Sequence, residues 1–118
     1  MNVVSIKNPE FEIYFTQVQR AMHQISIDHG FYEGYEFNIG EKIALMHSEL
    51  SEALEFARKD PSAKSDKIPE FTGIEEEFAD LVIRVMDTAQ KMNLRLASAI
   101  IAKAEFNNNR PYKHGKKF

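Results

Sequence analysis

The sequence predicts an all-α fold, a bundle of four helices, and three observations carry that prediction. Apolar residues recur at helical spacing in four separate segments. Residues that start or stop helices bound those segments, and no convincing pair of strand-like segments exists anywhere in the chain. At 118 residues the chain reads as one domain, 1–118, with a short lead-in over 1–7 and a basic tail over 107–118. An apolar content of 43% and a charged content of 28% are those of a folded chain rather than a disordered one.

The first helix opens at Asn8-Pro9, an N-cap followed by proline where its missing N–H costs nothing. Phe11, Tyr14, Phe15, Val18, Ala21, Met22 and Ile25 then carry it to about Asp28, and His29-Gly30 closes it with a glycine suited to the left-handed cap. An aromatic-rich loop follows, 31–38. The second helix spans about Ile39 to Lys59, with Ile43, Met46, Leu50, Ala53, Leu54 and Ala57 on one stripe. Residues 60–72 contain Pro61 and Pro69 and read as a loop, long enough in a small domain to be functional or mobile. Thr72-Gly73-Ile74-Glu75 is a capping box that opens the third helix. Ile74, Phe78, Ala79, Leu81, Val82, Ile83, Val85, Met86 and Ala89 cover more than half of that helix, so it is expected to be nearly buried. Its remaining strip holds Glu77, Asp80, Arg84 and Asp87. Asn93 is expected to cap a fourth helix over about Leu94 to Phe106.

Two pairs of carboxylates stand out against this frame. Glu49-x-x-Glu52 lies in the second helix and Glu77-x-x-Asp80 in the third, separated by 24 residues. Residues three apart on a helix are surface neighbours, roughly 5–6 Å between Cβ atoms. Two such helices side by side would bring four carboxylates to one spot. Unpaired charges among apolar residues are costly to desolvate, and a cation removes that cost. An oxygen-only donor set suits a hard divalent cation, Mg²⁺ above all. The blander alternative is an internal salt-bridge network through Arg84.

Composition narrows the chemistry. There is no cysteine, which excludes disulfides, thiol nucleophiles and thiolate-bound metals. No apolar run reaches the ~18–20 residues of a membrane span, and no signal peptide is recognisable, so a soluble, cytoplasmic protein without a membrane partner is expected. The net charge of −3 is unevenly spread: residues 41–87 carry 12 acids against 6 bases. Lys103, Arg110, Lys113, Lys116 and Lys117 stand against Glu105 alone in the tail. An acidic centre and a basic tail fit a metal-bound polyanion such as nucleotide phosphates. The residues three before the four histidines are Arg20, Ser26, Ala44 and Pro111, so the Glu-x-x-His pairs of di-iron bundles are missing. Walker-type loops, zinc-protease histidine pairs and nucleophile elbows are missing too.

The two carboxylate pairs, together with Gly30-Phe31-Tyr32, the run from Glu41 to Arg58, Glu75 to Asp87, and the tail Asn107-x-x-Arg110-Pro111-Tyr112-x-His114-Gly115-Lys116-Lys117, resemble the MazG-like all-α nucleoside triphosphate pyrophosphohydrolases. The resemblance covers roughly residues 20–118. It implies a four-helix MazG-like bundle completed by oligomerisation, as a homodimer or homotetramer with metal sites near subunit contacts. It also implies Mg²⁺-dependent cleavage of a nucleoside triphosphate between the α and β phosphates, to nucleoside monophosphate and pyrophosphate. Glu49, Glu52, Glu77 and Asp80 would be the Mg²⁺ ligands, with Mn²⁺ as a substitute, and Glu52 would orient the attacking water as a base. Lys103, Asn107 and Arg110, spaced by four and three residues, would lie together at the end of the fourth helix and grip the polyphosphate. Tyr32 would stack on the base, in a place where relatives often carry tryptophan. No polymeric nucleic acid is expected as a partner. The competing expectations are a non-catalytic bundle that binds nucleotide or metal, and a helical adaptor with solvated acids.

Overall fold

The computed structural model describes residues 7–34 and 36–118. Most of the expected lead-in and Tyr35 of the aromatic loop lie outside the described residues. Among the described residues the fold is all-helical: α1 (Pro9–Asp28), α2 (Ile39–Lys59), α3 (Gly73–Lys91) and α4 (Leu96–Asn108), followed by a short turn at Tyr112–Gly115. An isolated antiparallel bridge, Lys64 to Thr72, is the only β-type pairing among them. No described helix is long and apolar enough to cross a membrane.

Capping chemistry sets the helix boundaries. Asn8 accepts from Glu10 N at the start of α1, and Asn38 accepts from Glu41 N at the start of α2. The Thr72–Glu75 capping box is complete, each side chain accepting from the other residue's backbone N–H. At the end of α1, Gly30 takes φ +82°, and Gly30 and Phe31 donate to the Ile27 and Ser26 carbonyls.

The fourth helix departs from expectation. It starts at Leu96 rather than Leu94, its N-cap is Arg95, and no side chain caps it. Asn93 instead takes φ +55° and ends α3, with Asn93 N bonded to Gln90 O and Leu94 N to Ala89 O. That is the left-handed stop that glycine provides for α1. Asparagine is among the few residues besides glycine that tolerate it.

α3 packs against both α1 and α2 and runs antiparallel to each. On one side Gly73 meets Phe56 and Arg84 meets Glu49; on the other Gln19 meets Gln90 and His23 meets Asp87. A Cβ on Gly73 would run into the Phe56 ring, so the missing side chain sets how closely α2 and α3 approach. α4 lies along the N-terminal half of α1, where Ser98 Oγ donates to Glu12 and Lys7 pairs with Glu105.

The loop over 60–72 is an ordered turn centred on Ser65, one of the most buried residues described. Its hydroxyl donates to Glu76 and accepts from the Lys67 and Ile68 backbone N–H groups, while its own N–H donates to Phe71 O.

The expected near-complete burial of α3 holds only for Met86 and Ala89 towards its C-terminal end, with Ile74, Leu81 and Val85 half-buried. Its acidic strip faces inward, and the apolar residues Phe78 (52% exposed), Val82 (49%) and Ile83 face outward. α2 does the same with Ile43, Leu50 and Leu54. The core of a single chain is correspondingly small: the buried apolar residues among those described are Ala53, Met86, Ala89 and Ala97. The helical pattern gave the apolar side correctly. It carried no information on whether that side faces the same chain.

Candidate metal centre

Helical spacing and the antiparallel approach of α2 and α3 bring three of the four predicted acids, Glu49, Glu52 and Glu77, into one set, and Asp80 falls outside it. Glu49 and Glu52 are one turn apart on α2, and Glu77 comes from the first half of α3. Each of the three offers an oxygen within 4.8 Å of the others. Glu76, Glu77 and Asp80 form a second set at the same spacing, so Glu77 belongs to both. Glu49 (7% exposed) and Glu77 (6%) are buried, whereas Glu52 is exposed. Beside them opens a groove of about 290 Å³ lined by Glu52, Glu55, Phe56, Lys59 and Glu77.

The electrostatics of this cluster are uneven. Burial, reinforced by Glu49 and Glu52, pushes the Glu77 carboxyl up to about 8. Burial also pushes Asp80 above its ordinary value, helped by Glu49 and Glu76 and opposed by Lys67 and Arg84. For Glu49 burial pulls upward too. The hydrogen bond from Arg84, those with Glu77 and Glu52, and the Arg84 charge outweigh it and hold Glu49 below the usual range. Arg84 Nε donates to Glu49 Oε1 at 2.9 Å. Among the described residues, Glu77 Oε2 is the one buried side-chain oxygen or nitrogen with no hydrogen-bond partner.

An unpaired buried carboxylate oxygen is costly unless something positive meets it. The residues therefore fit a hard divalent cation on two counts. The donor set is all oxygen, and its most buried member, Glu77, has a carboxylate oxygen without a hydrogen-bond partner. A cluster of buried acids able to hold a metal ion is present.

The other predicted residues fall elsewhere. Tyr32 lies further along the same strip of α3, where its hydroxyl donates to Asp87 Oδ1 at 2.8 Å. Asp87 also bonds His23 Nδ1 at 2.7 Å and accepts from Ser26 Oγ at 3.0 Å. The Tyr32 ring meets His23 edge-on and carries the ammonium groups of Lys42 and Lys91 at 4.9 and 5.6 Å from its centre.

Lys103 and Arg110 do come together at the end of α4, both over the Phe106 ring, with Asn107 exposed beside them. They are not beside the acids of their own chain. α4 starts near Gln19 and runs past Glu12 towards Lys7, away from the acids. Helix rise alone places about 15 Å between Asp80 and Gln90 and about 10 Å more between Gln19 and Glu12.

Sequence reasoning named an ion-pair network through Arg84 only as the alternative to a metal, without Glu49 as its partner, and did not assign Asp87 its three donors or Glu76 its place beside Asp80. The signal was present for the first two, since Arg84 and Asp87 continue the Glu77–Asp80 strip at helical spacing. For Glu76 the signal was its place four residues before Asp80, on the same face of the helix. No known protein family, curated protein or solved structure matches this chain.

Proposed function

We propose that the chain is a Mg²⁺-dependent nucleoside triphosphate pyrophosphohydrolase of the MazG-like type, acting on NTP or dNTP substrates in nucleotide-pool cleansing. The observation that supports this most is the buried, unpartnered Glu77 Oε2 inside an all-oxygen cluster drawn from two helices. Glu49, Glu52, Glu77 and Asp80 would hold the ion, which when bound would neutralise phosphate charge and make a nearby water more acidic. Mn²⁺ substitutes for it.

The remaining work falls to side chains of this protein. Glu52, exposed at the groove, accepts the proton of the attacking water. The water oxygen joins phosphorus, the bridging P–O bond between the α and β phosphates breaks, and its electron pair leaves with pyrophosphate. The base stacks on Tyr32, whose ring is held in place through its hydroxyl by Asp87.

Lys103, Asn107 and Arg110 reach this site from a second copy. A single chain separates them from the acids, and the exposed apolar sides of α2 and α3 supply a surface for association. The functional unit in this reading is a homodimer or homotetramer, with two basic tails meeting two acidic centres.

A second reading, a non-catalytic helical module, draws support from the Arg84–Glu49 ion pair, which partly satisfies the acids without any metal. A panel of NTPs and dNTPs with Mg²⁺, assayed for nucleoside monophosphate and pyrophosphate, separates the two. Release of both products in equal amounts supports the enzyme, and binding without products supports the module.

A further inference from the structure

Arg84 sits one turn beyond Asp80 on the acidic strip of α3, and its two ends meet different surroundings. Its Nε–H is fixed on Glu49 Oε1, and the Glu49 side chain is only 9% exposed, while the Arg84 side chain is 40% exposed. A guanidinium carries five N–H donors in a planar fork. Among the described residues one of them is used, and the two Nη nitrogens have no protein acceptor. The anchored end thus lies against Glu49, and the fork of a part-exposed side chain is left without a protein acceptor among the described residues.

A pair whose only purpose was to neutralise Glu49 would gain from engaging the fork on both carboxylate oxygens, the stronger and more specific geometry. Single contact through Nε leaves that geometry free for another anionic oxygen pair. It also leaves Glu49 able to serve an ion through its second oxygen, because a carboxylate accepts at both. An acidic cluster repels a polyphosphate unless cations stand beside the bound ion. Arg84 is such a cation in the same chain, independent of any tail from a second copy.

We propose that Arg84 is a phosphate-contacting residue: anchored by Glu49, it presents its Nη fork to two non-bridging oxygens of a polyphosphate held beside the cluster. This rests on the metal reading above and adds a contact that the carboxylates cannot make.

The test uses the full chain with Arg84→Met and Arg84→Lys, Mn²⁺ alone as one probe and inorganic tripolyphosphate with Mn²⁺-loaded protein as the other. Loss of a charge-assisted fork corresponds to about a ten- to hundredfold loss of affinity. Arg84→Met is expected to weaken tripolyphosphate by that amount over and above any change in Mn²⁺ affinity that follows from loosening Glu49. Arg84→Lys, which keeps charge but loses the fork, falls between them, and the KM for nucleotide rises more than kcat falls. If Arg84→Met does not fold, Arg84→Lys decides alone: unchanged tripolyphosphate affinity overturns the proposal. Weakening of Mn²⁺ in step with tripolyphosphate also overturns it, because Arg84 then acts only by positioning Glu49. Wild-type protein that binds Mn²⁺ but not tripolyphosphate sinks this contact while leaving the metal centre standing. Wild-type protein that binds neither removes both.

Discussion

Glu77 on α3 and Glu49 on α2 are buried side by side in one acidic cluster and are shifted in opposite directions, Glu77 raised to about 8 and Glu49 held below its usual range. Arg84 is what separates them, since it touches Glu49 and not Glu77. In the metal-free chain near neutrality, Glu77 keeps a proton that Glu49 has lost.

That difference sets the pH dependence. An ion needs the Glu77 carboxylate, so its binding releases a proton and its affinity rises with pH until about 8, then levels. Stability of the metal-free chain runs the other way. A raised folded-state value means the folded chain holds this proton more tightly, so the contribution is complete below the ordinary value of 4.5 and is lost as pH rises through about 8. Thermal melts between pH 5 and 9 should fall with pH without metal, and Glu77→Gln should flatten that fall. Proton release on adding Mg²⁺ is measurable by calorimetry in buffers of different ionisation enthalpy.

Gly73→Ala tests the approach of α2 to α3. The added Cβ meets the Phe56 ring beside the groove, and overpacking of this kind costs about 1–3 kcal/mol. Urea denaturation should show a loss of that size. Metal affinity should fall with it, because Glu49 and Glu77 sit on the two helices being pushed apart.

Asp87→Ala tests the polar knot along the same strip. It strands His23, Ser26 and Tyr32, and breaking a buried network around a charge costs about 3–5 kcal/mol. Tyr32→Phe removes one of those donors and should cost about 1 kcal/mol. A double-mutant comparison by denaturation, with the two losses simply adding, would contradict a shared network.

Much of this was legible in the chain because the signals are local. Asn8, Gly30 and the Thr72–Glu75 box act on neighbouring backbone groups, and each does what its residue type favours. Asn93 misled because asparagine suits both ends of a helix, and the choice between ending α3 and starting α4 depends on the bonds to Gln90 and Ala89. The carboxylate cluster was legible because i, i+3 spacing fixes a face. The burial of α3 was not, since periodicity shows which side is apolar and not what covers it. The separation of Lys103 and Arg110 from the acids follows from the direction in which α4 leaves Arg95, and no residue type encodes that direction by itself.

Val82→Lys tests association through the outward apolar side of α3. Val82 is half exposed in a single chain, so the substitution should barely change the fold of one chain, within about 0.5 kcal/mol. Light scattering should show wild type as a dimer or tetramer and the variant as a smaller species, with pyrophosphate release lost and Mn²⁺ binding retained. A wild-type monomer by light scattering would remove the second copy from the account.

The most direct measurement is calorimetric titration of Mn²⁺ into metal-free protein at pH 8, wild type beside Glu77→Gln and Glu49→Gln. Saturable binding in wild type, lost or weakened about a hundredfold in both variants, is the result expected if α2 and α3 share an ion between their acids. Absence of binding in wild type, or equal binding in all three proteins, would contradict it.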